Sequence, residues 1–383
     1  MKFRKTLFWL HLILGCSAAL FIFVMSITGV ALTYERQMIK FAESLEYAEP
    51  ENDSTKIISL DEAIIIANNY PSKKTPSITL VNESGAPIIV KDGRKTLAYI
   101  NPYNGIEMAE PGQGTKVFFK KLRAFHRWLT LDGKFSETGR WVNGIANVIF
   151  FILLLTGLYL WLPKKLKVKA FKQKLTLSSK HSSIKARDYQ WHNVFGFYML
   201  PILVVVVATA FFFSFKWPGE TLKNNVSTEG TNLSKPMLIQ EPSSLSHNTY
   251  QALAEAVKTH YPKWQTIRLT VPTTEMNAHI FHVDLGNGGE PQKRLSLLVD
   301  TQSGEILEQQ SFSQLSDYRK ARSYIRFLHT GEAFGIVGQT LAGIASLLAC
   351  LLVYTGVMLS WRRWKQSQTA RKSAVINAKE TSA

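Results

Sequence analysis

Cysteine is nearly absent. Cys16 and Cys350 are the only two in 383 residues, and both fall inside long apolar runs. With no CxxC pair, zinc ribbons, iron–sulfur clusters and covalently attached haem are unsupported. Any segment outside a membrane must be held by its own core rather than by disulfides. Paired carboxylates, a nucleophile elbow, a phosphate-cradling loop and a flavin or nicotinamide fingerprint are missing as well. The one glycine-dense stretch, GNGG at 286–289, lies between alternating segments and predicts a hairpin turn. Acidic residues are few, 28 against 45 Lys and Arg, for a net charge of +17. In a soluble protein that excess would point to nucleic acid. Its placement points elsewhere.

Four runs carry no charge over most of their length: 6–34, 141–162, 191–215 and 333–361. Each reaches the roughly 20 residues that a spanning helix needs. The first follows Lys2, Arg4 and Lys5. It is too long for the apolar region of a signal peptide and no small-residue cleavage site follows, so it reads as an uncleaved anchor. The N-terminal residues, the segment 163–190 and the tail after Trp361 together hold eighteen basic and two acidic residues, while the rest is nearly balanced. This is the positive-inside pattern of a protein with four spans and both termini cytoplasmic. Some of these basic residues are expected to meet anionic lipid heads. No nucleic-acid motif is present.

The chain divides into a first span at 7–34, a first external module at 35–116, and an amphipathic approach plus second span at 117–162. A basic cytoplasmic loop follows at 163–190, then a third span at 191–215 and a second external module at 216–316. An approach plus fourth span at 317–361 and a tail at 362–383, read as disordered from its composition, complete it. In the first module SLDEAIIIANNYP (59–71) reads as a helix capped by Ser59 or Asp61. SITLV, APIIVKD and KTLAYINP read as strands, with a tight turn at Asn104–Gly105. In the second, a polar linker to about Leu245 precedes a helix at 248–262, then strands at QTIRLTVP, AHIFHVDL and RLSLLVDTQSGEILEQ. Pro201 predicts a bend in the third span. The halves repeat: SLDEAIIIANNYP resembles YQALAEAVKTHYP, LRAFH resembles IRFLH, and LTGLYLWLPKK resembles YTGVMLSWRRW. The fold expected is an α-helical membrane protein. A four-helix transmembrane bundle would carry two external α+β modules, internally duplicated.

Histidine carries the chemistry. His11 opens HLILG in the first span and His192 opens HNVFG in the third. Thr28 and Thr209 each follow seventeen residues later. An ionisable residue in a membrane span marks function. Gly15 and Gly196, one turn after each histidine on the same face, would clear room for a flat macrocycle bound through the imidazole. His126 and His329 sit on the approaches to the second and fourth spans, so each face of the bundle receives two histidines. A low-spin b-type haem takes two axial imidazoles without covalent attachment, and two such haems would form a wire across the bundle. Arg123 and Arg326, each three residues before His126 and His329, are expected partners for propionates, with Arg127 and Arg322; Arg4 and Arg187 are the expected partners at the other face. Glycines 331, 335, 338 and 343 fit either a porphyrin edge or helix packing. His279 and His282, three apart on a predicted strand, point to opposite faces and read as structural. His181, His247 and His260 have no partner pattern.

These residues, with Thr28–Gly29, Thr156–Gly157 and Thr355–Gly356, resemble the PepSY-associated transmembrane proteins, which include di-haem ferric-siderophore reductases of bacterial inner membranes. The third span departs, with ATA at 208–210 in place of the TG motif. The resemblance covers nearly the whole chain. It implies PepSY-like external modules and haem iron ligated by His11, His192, His126 and His329. It also implies electron transfer, from a cytoplasmic or quinol donor, to a ferric siderophore outside. Two rivals remain at this stage: a haem reductase for another acceptor such as cupric ion or a quinone, and a non-redox PepSY scaffold or inhibitor.

Overall fold

The structure is a computed structural model describing residues 2–52, 54–72, 75–130, 133–164, 167–237, 249–271 and 276–380. It separates into two compact units. The first comprises Met1–Thr33, Phe119–Glu220 and Leu328–Ala383, and the second Tyr34–Phe118 and Thr221–Phe327.

The first unit is built on four helices long and apolar enough to cross a membrane: α1 (Lys2–Leu32), and three further helices that close a ring with it. In chain order the elements between are α2 (Glu35–Ser44) and α3 (Leu60–Asn68), then strands β1 (Ser77–Val81), β2 (Ile88–Asp92), β3 (Lys95–Ile100) and β4 (Glu107–Met108). After them come α4 (Gln113–Trp128), the second long helix α5 (Ser136–Trp161), α6 (Val168–Leu175) and the third, α7 (Ile184–Ser214). Then follow α8 (Trp217–Asn225), α9 (Tyr250–His260), β5 (Thr266–Thr270), β6 (Ala278–Asp284), β7 (Arg294–Asp300), β8 (Ile306–Ser311), α10 (Asp317–His329) and the fourth long helix, α11 (Gly335–Glu380).

In the bundle α1 packs on α5 and α11, and α7 packs on the same two. Thus α1 and α7 occupy one diagonal of the ring, α5 and α11 the other. In a hydrocarbon environment helices associate by close backbone approach and by interhelical hydrogen bonds. Both devices occur. A Cβ on Gly343 would meet the Thr33 side chain at 2.8 Å, and one on Gly144 would meet Phe215 at 2.9 Å. The buried Asn147 amide donates to the Val207 carbonyl at 2.9 Å, tying α5 to α7. At one end of the ring Asp188, fully buried, is held between Arg187 (2.9 Å) and Arg362 (2.5 Å), pairing α7 with α11.

The second unit corrects the expectation of two separate modules. Its strands form one eight-stranded antiparallel sheet in the order β4-β3-β2-β1-β5-β6-β7-β8. The junction is β1 against β5, in register from Ser77↔Thr270 to Val81↔Thr266. The strand order reads alike outward from that junction, so the duplication seen in the sequence is a duplication of half-sheets. Alternation places Ile78, Val90, Ile267, Leu269, Phe281 and Leu297 on one face, where they bury against α3 and α9 in a single core. Each such side chain, fully buried, contributes about 1.5–3 kcal/mol. Ser59 caps α3 in a capping box with Glu62, as expected. The two helix starts also cap each other. The Asp61 carboxylate accepts the backbone N–H groups of Tyr250 and Gln251, both at 2.9 Å, while Gln251 Oε1 accepts that of Leu60 at 2.8 Å. A carboxylate is favoured there by the partial positive charge of the helix N-terminus. Gly105 takes φ +71° in the predicted Asn104–Gly105 turn.

Other departures are local. The segment after Trp361 is the continuation of α11 to Glu380, not a disordered tail. The second long helix starts at Ser136, five residues before the apolar run at 141–162. The basic connection contains α6, and the polar linker after the third span begins with α8. Residues 238–248, which include His247 and the expected start of a helix at Asn248, lie outside the described residues. Pro201 lies within α7, which runs on to Ser214.

His279 is 5% exposed on the core face of the sheet, edge-on to the Tyr250 ring. Burial brings its pKa down to about 4, against about 6.5 in an unfolded chain. Between those values the unfolded state binds a proton that the folded state does not, so stability falls as pH drops through this window and levels off below it. Thermal unfolding of the full chain at pH 7 and pH 4.5 is expected to show a loss on acidification that His279→Phe reduces. An unchanged pH dependence in the variant would remove His279 from that role.

Candidate functional site

Four histidines converge on the two ends of the bundle, each held in one way. On the α1–α7 diagonal, His11 Nδ1 lies 2.9 Å from Thr156 Oγ1 of α5, and His192 Nδ1 lies 2.9 Å from Thr355 Oγ1 of α11. At the other end His126, on α4, places Nδ1 2.7 Å from Thr28 Oγ1, and His329, on α10, places it 3.2 Å from Thr209 Oγ1. Roles are thereby exchanged between ends. At one, α1 and α7 supply histidine while α5 and α11 supply threonine. At the other, α1 and α7 supply threonine.

Each threonine hydroxyl also donates to a carbonyl one turn back: Thr28 to Val24 at 2.6 Å, Thr156 to Ile152 at 2.8 Å, Thr209 to Val205 at 2.7 Å and Thr355 to Leu351 at 2.8 Å. A hydroxyl has one hydrogen. With that hydrogen on the carbonyl, its oxygen must accept from the imidazole, so Nδ1 carries the proton and Nε2 has a free lone pair. For His329 the carbonyl of Val206, 2.9 Å from Nδ1, enforces the same tautomer. Fixing one ring nitrogen by a hydrogen bond while the other stays available is how proteins prepare a histidine for a metal.

The first pair faces itself across the bundle. The His11 and His192 ring centroids stand 6.4 Å apart with planes at 85°. Their nearest glycines are the second residues of the TG motifs. A Cβ on Gly157 would lie 3.3 Å from His11 Cε1, and one on Gly356 would lie 3.4 Å from His192 Cε1. Threonine accepts the Nδ1–H hydrogen bond and glycine admits the ring. At the other end Gly29 repeats the arrangement more loosely, 3.7 Å from His126 Cε1, while the Phe213 ring sits edge-on to His329 at 5.1 Å. His126 and His329 lie within electrostatic reach of each other, and Asn143 fixes the His126 carbonyl at 2.7 Å. Seventeen residues separate His11 from Thr28 and His192 from Thr209, which at 1.5 Å per residue sets the two ends about 25 Å apart along the bundle.

This arrangement extends over nearly the same residues as a known family description. The PepSY-associated TM region matches residues 8–363. The chain belongs to that family. It is a PepSY-associated membrane protein with four helices able to span a bilayer. No curated protein matches its sequence.

Other expected site residues fare differently in this PepSY-associated chain. Gly15 and Gly196 meet only Leu153 and Leu352, at 3.8 and 3.6 Å, so they lie in ordinary helix contacts. Gly331 and Gly338 pack backbone against backbone, and Gly343 packs on Thr33, which decides for helix packing at these three. Arg4 is engaged with the last carbonyls of α5, donating to Leu160 at 2.6 Å and Leu162 at 2.9 Å. Arg187 is paired with Asp188. Arg123 and Arg326 are exposed on α4 and α10, and the Arg326 guanidinium stacks over Phe327. Among the described residues no group of three or more His, Cys, Asp or Glu could hold a metal ion.

What the sequence reading missed is the function of Thr156, Thr355, Thr28 and Thr209 as hydrogen-bond partners. The signal was there for Thr28 and Thr209, each seventeen residues after the histidine of its own helix, and for Thr156 and Thr355 in their repeated TG motif. Which helix each would face was not.

Proposed function

We propose that the chain is a transmembrane di-haem b-type oxidoreductase. It passes electrons from the cytoplasmic side, or from quinol, to a ferric siderophore on the outer side, where iron leaves as Fe(II). One observation carries the reading: four imidazoles, paired at two ends of a four-helix bundle, each bonded to a threonine that leaves Nε2 unprotonated. The first pair also meets a distance test. An imidazole nitrogen ligates a first-row metal ion at about 2.0 Å, so two imidazoles that would hold one ion between them need ring centroids roughly 6 Å apart. His11 and His192 stand 6.4 Å apart.

A bound b-type haem would supply one-electron Fe(III)/Fe(II) chemistry at each pair. The protein's own residues would do the rest. His11 and His192 hold the inner site, and His126 and His329 the outer one. The threonines keep each ring in the ligating tautomer and orientation. The apolar helices exclude water and raise the cost of charge. Arg123 and Arg326 would meet propionates. The basic charge at both termini and in the 163–190 segment sets the His11/His192 end toward the cytoplasm. The ferric siderophore as acceptor rests on the family resemblance. Hard oxygen donors hold Fe(II) less strongly than Fe(III), so reduction favours release.

A reduced-minus-oxidised spectrum of the purified protein, followed by reoxidation with a panel of acceptors, tests this. The expected result is a b-type spectrum reoxidised by ferric chelates faster than by cupric ion or quinone. A preference for either rival acceptor would reassign the substrate, and the absence of any b-type spectrum would leave the non-redox scaffold reading. A second expectation concerns the glycine cradle. In Gly356→Val the added methyls would press on His192 Cε1, 3.4 Å from the Cβ position, and push the ring off Thr355. Haem content should fall toward about one per chain, since each iron needs both imidazoles. Unchanged content and spectrum would show that the cradle is not needed.

A further inference from the structure

The sheet has a second face, turned away from α3 and α9. Ser77, Thr79, Lys91, Arg268, Thr270, His282 and Ser296 point to it by alternation from the core residues Ile78, Val90, Ile267, Leu269, Phe281 and Leu297. Cross-strand register sets Thr79 opposite Arg268, Arg268 opposite His282 and His282 opposite Ser296, in one row through the β1–β5 junction. Lys91 stands opposite Ser77, in the next outward-facing row. We propose that this row of cations and hydroxyls at the junction of the two half-sheets, centred on Arg268, Lys91, His282 and Ser296, is a binding site for an anionic ferric chelate with carboxylate or catecholate oxygens. The proposal rests on the reductase reading and names its substrate class.

Three observations support it. First, the cations are near one another, and the one carboxylate acting on Lys91, Glu43, is already paired with Lys116. Neither the Lys91 nor the Arg268 side chain forms a hydrogen bond or ion pair among the described residues, while Lys116 beside them is satisfied by Glu43 at 2.7 Å, Glu110 and Tyr99. Burial and then the charges of Arg268 and Lys116 pull the Lys91 pKa down, with Glu43 offsetting only part of this, an unfavourable arrangement that a further anion would relieve. Second, the hydrogen-bonding groups are partly set. His282 Nδ1 and Ser296 Oγ are 2.8 Å apart, which orients the imidazole and the hydroxyl together. Third, the duplication does not account for these residues. SITLV of β1 corresponds to TIRLT of β5 through Ile78 and Ile267, so Thr79 stands where the second half has Arg268. In the same way Ile89 stands where the second half has His282. A face needed only for folding could have kept the neutral pair in both halves.

Binding should be measured with redox-inert gallium complexes on the full chain in detergent, so that it is read apart from electron transfer. The probes are an anionic gallium tricatecholate, a cationic gallium trihydroxamate and inorganic phosphate. The anionic complex should bind, more weakly as salt is raised, and Arg268→Gln and Lys91→Gln should each raise its Kd about tenfold, the loss of one charge-assisted contact. Lys91→Arg should retain binding, which separates charge from damage to the fold. No binding of the tricatecholate, equal binding by the Gln variants, preference for the cationic complex, or displacement by phosphate at equal concentration would each overturn the proposal. Gallium binding without reduction of the matching ferric complex would instead count against the reductase reading alone.

Discussion

His11→Ala and His192→Ala are each expected to remove the inner haem and spare most of the outer one. The two rings face each other at 6.4 Å across the α1–α7 diagonal and would share one iron. Losing either leaves a five-coordinate or empty site, so haem per chain should fall from about two toward about one. The double variant should lose no more than either single one, because partners at one site do not add. Haem extraction against protein concentration gives the count. Additive losses in the double variant would break the pairing of these two residues. The helices themselves should survive the change, since α1 and α7 are held to their neighbours by apolar contacts and, for α7, by the Asn147–Val207 and Asp188–Arg362 bonds.

His329→Ala should separate entry of electrons from their exit. His329 lies at the end of α10, its Nδ1 bonded to Val206 and Thr209 at the far end of α7 from His192. About 25 Å of helix lies between these ends. An outer haem missing from that position would leave the inner one reducible by the donor but without its route to the chelate. Stopped-flow reoxidation by a ferric chelate should slow by more than an order of magnitude, while reduction of the remaining haem is retained. A wild-type reoxidation rate, with the outer haem shown to be absent and the protein monodisperse on size exclusion, would place iron reduction somewhere else. A merely structural role for His329 predicts altered stability with both haems still functional.

Much of this was legible in the sequence because membrane helices announce themselves. Unsatisfied backbone groups cannot face hydrocarbon, so long apolar runs must be helices, and 7–34, 141–162, 191–215 and 333–361 each became one. The paired histidines were legible from their equal spacing to Thr28 and Thr209. The contacts across helices were not. Gly15 and Gly196 share a helix face with His11 and His192, yet the glycines nearest the rings come from the facing helices, at Gly157 and Gly356. A period along one helix says nothing about what a neighbour presents. The sheet was missed for a related reason. β1 and β5 pair across almost two hundred residues of chain, and two repeats each with its own turns and strands read as two modules until that register is known. The tail was misjudged because low hydrophobicity was read as disorder. Its residues, rich in Lys, Arg, Gln and Ala, are good helix formers and extend α11 from a helix already nucleated in the span.

Electron paramagnetic resonance of the oxidised protein tests bis-histidine haem binding most directly. The planes of His11 and His192 stand at 85°. If His11 and His192 together hold one haem iron and His126 and His329 another, the expected result is two low-spin ferric signals, of which one disappears in His192→Ala. A spectrum with no low-spin ferric component, or one left unchanged by His192→Ala, would contradict iron ligation by this pair.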